Sequence, residues 1–209
     1  AGNYIWYHDI GAFMEEVTGI VVCDVDIDGK KEVIFSTSKG NIECLSCITN
    51  PPTSLWSTSL GSDRITSIVA GDLERDGVLK VVASMDSALY VLDAGGGGVV
   101  STVPMPACVT KISLGNLDGD VELETVCVSA CGRVFEVDNG DVTLDVQTGG
   151  TPIGSPALGD MDQDGNIDII VTLEEGTVQV LQTSGTDVFP PIPMKGSCLS
   201  GPTAGDIDG

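Results

Sequence analysis

The same acidic phrase occurs five times in this chain at a nearly constant interval. Asp24-Val-Asp26-Ile-Asp28-Gly29 opens the series, and comparable phrases begin at Asp72, Asn116, Asp160 and Asp206. Consecutive first residues are 48, 44, 44 and 46 residues apart. An interval of roughly 40 to 50 residues is typical of propeller blades, in which each repeat folds as one four-stranded sheet. The spacing therefore predicts a β-propeller.

Each repeat contains short apolar runs that fit four strands. A run ending in a small residue precedes the acidic phrase, and a β-branched run follows it, as in Glu32–Ser36 and Ile169–Thr172. Continuous rather than alternating apolar residues predict a second strand buried on both faces. A third strand such as Ala88–Leu92 and a fourth such as Val99–Val103 complete the unit. No sustained 3.6-residue stripe supports helices.

These runs define the fold class and the repeat boundaries that we predict. We expect an all-β chain of β-propeller blades, each of four antiparallel strands, within one region spanning residues 1–209. Complete repeats would occupy approximately residues 11–60, 61–104, 105–149 and 150–195, with partial blades at 1–10 and 196–209. Such a chain would be a fragment or an open propeller, whose open ends could be completed by strand addition from a neighbour.

The net charge excludes several classes of partner. The chain carries 31 acidic and 9 basic residues, which gives a formal net charge of -22. That field repels nucleic acid and anionic membrane surfaces, and no stretch approaches the ~18 apolar residues of a membrane span. We therefore expect cations, a protein or glycan ligand, or copies of the chain itself as partners, without nucleic-acid binding or direct membrane insertion.

The acidic phrases have the spacing of a calcium loop. In the first and fourth, side-chain oxygens fall at positions 1, 3, 5 and 9, and glycine occupies position 6. Alternate residues of a tight loop point to one centre, and the carbonyl of position 7 can add an oxygen. Such a set suits Ca2+ better than Mg2+, while transition metals prefer His or Cys. The EF-hand is excluded because Phe35 and Val171, both in predicted strands, occupy its Glu position.

We number the loops one to four, covering residues 24–32, 72–80, 116–124 and 160–168. The predicted calcium-site residues, including position 7, are Asp24, Asp26, Asp28, Lys30 and Glu32 in loop one; Asp72, Glu74 and Asp76 in loop two; Asn116, Asp118, Asp120, Glu122 and Glu124 in loop three; and Asp160, Asp162, Asp164, Asn166 and Asp168 in loop four. Asp206 and Asp208 begin a fifth, incomplete phrase.

Two loops depart from the common pattern. Loop two has Glu74 at position 3 and Lys80 at position 9, so that an ammonium stands where an oxygen ligand is expected. Loop three begins with Asn116 and has Val121 in place of the glycine. We therefore expect loops four and one to be the best calcium sites, loop three to be intermediate and loop two to be the poorest.

The phrases could also form Asx-type turns that need no metal. Repetition argues against that alternative, and so does electrostatics. Three carboxylates that converge within a few Å repel one another and raise their pKa values unless a cation neutralises them. We expect the ion to join the first two strands of each blade.

At this level of detail the chain resembles the FG-GAP or VCBS repeats, the propeller family that includes the integrin α-subunit head. The matching residues are the Gly-Asp or Gly-Asn pairs before the loops, as at Gly71-Asp72 and Gly159-Asp160, and the Asp-x-Asp-x-Asp-Gly-x-x-Asp/Glu pattern within them. The resemblance implies a loop between the first two strands of each blade, with calcium held by positions 1, 3, 5 and 9 and by the carbonyl of position 7.

Seven cysteines in a small acidic chain favour an oxidising compartment, and hence a secreted or cell-surface protein. A zinc site is a weak alternative because Cys44 and Cys47 form one C-x-x-C motif without a matching second pair. Cys108 precedes loop three by eight residues, and Cys131 follows the second strand of the same repeat. If those strands are antiparallel, both cysteines lie at one end of the blade. We therefore predict a Cys108–Cys131 disulfide.

No combination of residues predicts catalysis. The single histidine, His8, has no nucleophile partner in the pattern, and no spacing singles out a pair of acids for glycoside chemistry. We expect a calcium-stabilised extracellular propeller that acts as a structural, adhesion or ligand-binding module, a role that includes being part of a surface fibre. The alternative is a non-catalytic or partial propeller domain of a secreted polysaccharide-active enzyme.

Overall fold

The computed structural model describes residues 15–205, which form four antiparallel sheets of four strands each. Blade one contains β1 (Val17–Cys23), β2 (Glu32–Thr37), β3 (Asn41–Ser46) and β4 (Thr53–Ser59). Blade two contains β5 (Ile65–Gly71), β6 (Lys80–Met85), β7 (Ala88–Asp93) and β8 (Val99–Pro104). Blade three contains β9 (Val109–Gly115), β10 (Glu124–Ser129), β11 (Arg133–Asp138) and β12 (Asp141–Gln147). Blade four contains β13 (Pro152–Gly159), β14 (Asp168–Leu173), β15 (Thr177–Leu181) and β16 (Ile192–Pro193).

The all-β fold class predicted from the repeat is confirmed. Strands follow one another in each sheet in chain order, and every pairing is antiparallel. Within residues 15–205 there is no helix, and hence none that could cross a membrane. The predicted partial blade at 1–10, His8, Asp206 and Asp208 lie outside the described residues.

The second strand of each blade is its most buried element. All six residues of β6, β10 and β14 are buried, whereas β4, β8 and β12 are mostly exposed. This gradient follows from the sequence, because continuous β-branched runs suit a strand covered on both faces. Among these outer strands, β12 alternates polar and apolar residues, as expected where one face meets solvent.

The blades pack face to face in chain order. Strand β1 contacts β5, β5 contacts β9, and β9 contacts β13, so the first strands form the inner series of the array. Three apolar clusters fill the spaces between successive blades. At two of these boundaries a leucine lies on a glycine: Leu114 on Gly71, and Leu158 on Gly115. A Cβ atom on Gly71 would lie 2.8 Å from Cδ1 of Leu114.

Residues after β16 lie against the first two strands of blade four. The hydroxyl of Thr172 donates a hydrogen bond to the carbonyl oxygen of Ser200 at 2.8 Å, and Gly201 lies against the backbone of Gly154 and Ser155. This segment therefore continues the blade-to-blade series beyond β13.

The predicted Cys108–Cys131 disulfide is wrong, because all seven cysteines are free in the structure. The Sγ atom of Cys108 lies 3.2 Å from Oδ1 of Asp86, in the β6–β7 turn of the preceding blade. Cys131 instead contacts the hydroxyl of Ser129, at 3.0 Å. Cys108 thus faces a neighbouring blade rather than the turn of its own blade. Cys44 and Cys127 are buried, and burial raises the pKa of the Cys44 thiol to about 12.

Candidate metal centres

All four acidic loops occupy the same place in their blades. Each loop joins the first strand to the second, as loop one joins β1 to β2 and loop four joins β13 to β14. Residues Phe35 and Val171, at position 12 of their loops, lie in strands. The structure therefore agrees with the sequence in excluding helix-flanked EF-hands.

The backbone of loops one, two and four follows one pattern. The carboxylate of the first residue accepts hydrogen bonds from the N–H groups of positions 5 and 6; in loop one, Asp24 accepts from Asp28 at 3.1 Å and from Gly29 at 2.9 Å. Positions 4 and 6 both have positive φ, with values of 60° at Ile27 and 84° at Gly29. Glycine is favoured at position 6 because it adopts this conformation without a steric cost.

Loop three reaches a similar turn by a different route. Gly119 at position 4 has a φ of 83°, and its N–H donates to the side-chain oxygen of Asn116 at 2.8 Å. The side-chain amide of Asn116 also donates to the carbonyl oxygen of Asp120. Because the left-handed residue is at position 4 alone, Val121 can replace the glycine of the other loops.

In three loops the carboxylates converge. One oxygen from each of three side chains lies within 4.8 Å of the others in each group: Asp24, Asp26 and Glu32 in loop one; Asp118, Asp120 and Glu124 in loop three; and Asp160, Asp162 and Asp168 in loop four. Each group combines loop residues with the residue at position 9, which begins the second strand.

The carboxylate at position 9 is the buried member of each group. Glu32, Glu124 and Asp168 are at most 1% exposed. One oxygen of each accepts a hydrogen bond from the N–H of position 2, namely Val25, Leu117 and Met161. The other oxygen of Glu124 is buried and has no hydrogen-bond partner among residues 15–205.

Burial and neighbouring charge disfavour ionisation of two of these groups. Burial raises the pKa of Glu124 above its ordinary value, and the carboxylates of Asp118 and Asp120 raise it further. The pKa of Asp168 is raised by burial first and then by its loop neighbours, Asp162 among them. A divalent cation at these positions would remove the repulsion that causes part of each shift.

Positions 5 and 7 lie at the exposed side of the loops. In loop one, Nζ of Lys30 lies 3.2 Å from Oδ2 of Asp28, and the backbone N–H of Lys30 lowers the pKa of that carboxyl. In loop four, Asp164 accepts hydrogen bonds from the backbone and side-chain N–H groups of Asn166. The side chains of Asp28 and Asp164 are therefore engaged by position 7 rather than grouped with the other carboxylates.

Loop two differs from the other three in the groups at positions 3 and 9. Asp72 and Asp76 have the same backbone hydrogen bonds as their counterparts in loop one. At position 9, however, Nζ of the buried Lys80 lies 3.4 Å from Oε2 of Glu74. The predicted oxygen ligand is thus replaced by an ammonium ion paired with position 3.

A cavity of about 310 Å³ lies beside loops two and three, between blades two and three. Its apolar lining includes Val82, Leu89, Val91, Val103 and Val137, and its polar lining includes Glu74, Glu122 and Asp138. The pKa of Asp138 is raised by burial and by the surrounding carboxylates. The cavity thus has an apolar floor and an acidic rim.

The repeat pattern does not predict that a carboxyl outside the loops is buried near Glu124 of loop three. Glu136 in β11 is buried, and burial together with the charge of Glu124 raises its pKa. Its position between two apolar residues, Phe135 and Val137, was the only signal in the sequence. A glutamate within an apolar strand run is more often a solvent-facing residue.

Solved structures resemble this chain in fold but little in sequence. The BBS1N structure, solved in complex with ARL6DN, matches with a TM-score of 0.66 and 13% identity, covering 85% of this chain and 54% of that chain. Sqt1 of Saccharomyces cerevisiae matches with a TM-score of 0.66 and 14% identity, covering 81% and 49%. The computationally designed Ika4 protein matches with a TM-score of 0.63 and 14% identity, covering 87% and 99%.

This chain spans about half the length of the BBS1N and Sqt1 chains that it matches. No family model and no curated protein matches the sequence. The resemblance to FG-GAP or VCBS repeats therefore rests on the motif residues alone. Sequence identities this low to the solved structures show only a shared fold. On that basis the chain has a β-propeller-like fold built from four-stranded blades.

Proposed function

We propose that this chain is a calcium-stabilised propeller module of an extracellular or cell-surface protein, which binds other molecules rather than catalysing a reaction. The propeller-like fold supports an interaction role, and the solved BBS1N structure is itself a complex with a protein, ARL6DN. Calcium, the extracellular location and a structural or adhesive role are the further parts of the proposal.

The observation that carries the calcium proposal is the unpaired oxygen of Glu124. A buried carboxylate oxygen without a hydrogen bond is costly, and Glu124 lies within 4.8 Å of carboxylate oxygens of Asp118 and Asp120. A hard cation at the centre of this group would pair with that oxygen and offset the repulsion among three carboxylates. Oxygen-only ligands on a flexible loop suit Ca2+.

The extracellular location follows from the proposed ion rather than from disulfides. Extracellular calcium modules commonly bind at about 0.1 to 1 mM, and only an environment with millimolar free calcium keeps such sites filled. Loops one, three and four would then each hold one ion that ties the first strand of the blade to the second.

The cavity between blades two and three could receive part of a partner. Its valine floor can cover the methylene stem of a long side chain, and Glu122 and Asp138 on its rim can face a positive head group. We propose that it accepts a lysine or arginine side chain of a protein partner.

Ion counting together with thermal unfolding tests the calcium proposal. Native mass spectrometry at millimolar calcium should find three bound ions, and EDTA should lower the unfolding temperature. Glu124→Gln should bind one ion fewer, yet it should be no less stable than the wild type in EDTA because it removes a buried charge. Glu174→Gln, at an exposed acid outside the loops, is the matched control. A chain whose unfolding is identical in calcium and in EDTA would refute the proposal.

The cavity proposal needs its own measurement. Hexylamine should shift the methyl NMR signals of Val91 and Val103, whereas hexanol should bind more weakly. Equal binding of the amine and the alcohol would show that the acidic rim plays no part. The double variant with Glu122→Gln and Asp138→Asn should lose the preference for the amine.

A further inference from the structure

Lys80 occupies the position at which the other three loops place a buried carboxylate. It pairs with Gly71 across the first two strands of its blade, just as Glu32 pairs with Cys23 and Glu124 pairs with Gly115. Only 9% of Lys80 is exposed. Its side chain therefore enters blade two at the point where a metal ligand enters the other blades.

Loop two nevertheless has the backbone of a metal loop. Asp72 accepts hydrogen bonds from Asp76 at 3.0 Å and from Gly77 at 2.9 Å, close to the 3.1 and 2.9 Å of loop one. The φ values of Arg75 and Gly77 are 54° and 89°, compared with 60° and 84° at Ile27 and Gly29. The loop conformation is thus the same, and the difference lies in the groups at positions 3 and 9.

Both positions differ from their counterparts in the other three loops. Position 3 is aspartate in loops one, three and four but glutamate in loop two, and Oε2 of Glu74 lies 3.4 Å from Nζ of Lys80. The extra methylene of glutamate lengthens the side chain that meets the ammonium. Loop two is also absent from the described groups of three converging carboxylates, which occur in the other three loops.

We propose that the ammonium of Lys80 is the resident cation of loop two, so that blade two needs no metal ion. An ammonium is a compact point charge with three donors, and it can join position 3 to the start of the second strand as a calcium ion would. A second cation in the same loop would meet a like charge and only three carboxylates, Asp72, Glu74 and Asp76. Blade two would therefore keep its loop when calcium is withdrawn from its neighbours.

The inference rests on the proposed calcium sites where it concerns the number of bound ions. Its test by hydrogen exchange does not depend on calcium. Native mass spectrometry should find three calcium ions on the wild type and four on Lys80→Glu, which restores a carboxylate at position 9. Lys80→Met, which lacks both charge and carboxylate, should bind three. Four ions on the wild type would overturn the role of Lys80 while leaving the calcium proposal intact.

Hydrogen exchange in EDTA tests the ammonium without any metal. In the wild type the amides of Asp76 and Gly77 should exchange more slowly than those of Asp28 and Gly29. Lys80→Met should accelerate exchange in loop two about fivefold, the effect of a salt bridge worth ~1 kcal/mol. Lys195→Met, at an exposed lysine, should not. Unchanged exchange in Lys80→Met would overturn the inference even if the chain bound no calcium at all.

Discussion

Trp56 of blade one donates its indole N–H to the carbonyl oxygen of Ala94 in blade two, at a distance of 2.8 Å. The bond is buried and crosses the boundary between two blades, whose side chains also share one apolar cluster. The outer strand β4, which is otherwise mostly exposed, is thereby tied to the β7–β8 turn.

Trp56→Phe should lower the free energy of unfolding by about 1 to 3 kcal/mol, because it removes one buried hydrogen bond and leaves the Ala94 carbonyl unpaired. Urea unfolding of both proteins in EDTA measures the change. Leu55→Ala, in the same strand at a side chain that is 46% exposed, should cost much less. Equal losses in the two variants would mean that the hydrogen bond contributes nothing specific.

The turn beneath this tryptophan should reject a methyl group at one glycine and tolerate it at the next. Gly97 has a φ of 71°, and a Cβ atom there would overlap the Trp56 ring, whereas a Cβ atom on Gly98 would meet nothing within 4 Å. Gly97→Ala should therefore destabilise the fold by roughly 2 kcal/mol or more. Gly98→Ala should be nearly neutral, and thermal unfolding of the pair gives the comparison.

Ile27 should be replaceable with a gain in stability. It is a β-branched residue with a φ of 60°, and 77% of it is exposed. Asparagine adopts this conformation more readily, so Ile27→Asn should stabilise the chain by about 1 kcal/mol in urea unfolding. Ile48→Asn, at another exposed isoleucine, should give no such gain. A loss at position 27 would show that the isoleucine makes a contact of its own.

The metal-free fold should become more stable as the solution is acidified from neutral pH. The pKa values of Glu124 and Asp168 are raised in the fold, so the folded chain binds protons more tightly than the unfolded chain does. Their contribution to stability is fully present below the ordinary values of about 4 and is lost as pH rises through the raised values. The stabilisation that calcium adds should shrink over the same range, because protons compete for the same oxygens.

Thermal unfolding at pH 7.5 and 5.5, in EDTA and in calcium, measures both trends. The double variant with Glu124→Gln and Asp168→Asn should show a smaller gain on acidification in EDTA. If the wild type and the double variant showed the same pH dependence, the gain in stability would come from the general relief of negative charge rather than from Glu124 and Asp168.

The repeat predicted the blades closely because local chain chemistry determines them. The predicted second strand Glu32–Ser36 is observed as Glu32–Thr37, and the predicted fourth strand Val99–Val103 as Val99–Pro104. The acidic loops were found by spacing alone, and their position-9 residues do enter three groups of carboxylates. Calcium itself stays a prediction.

What the sequence could not supply was the arrangement of one blade against the next. The prediction of a Cys108–Cys131 disulfide considers a single blade, whereas the structure places Cys108 against Asp86 of the preceding blade. The contact between Trp56 and Ala94 likewise joins residues 38 positions apart. Such contacts depend on how far each sheet is rotated relative to its neighbour, and a repeating sequence pattern does not encode that angle.

At two blade boundaries a leucine packs on a glycine of the preceding blade. This contact bears on how such chains gain further blades. Leu114 meets Gly71, and Leu158 meets Gly115, so blade three carries both halves of the same contact. Duplicating blade three would reproduce a fitting contact at the new boundary without any further substitution. Growth of the array by tandem duplication of this unit is therefore sterically permitted from the start.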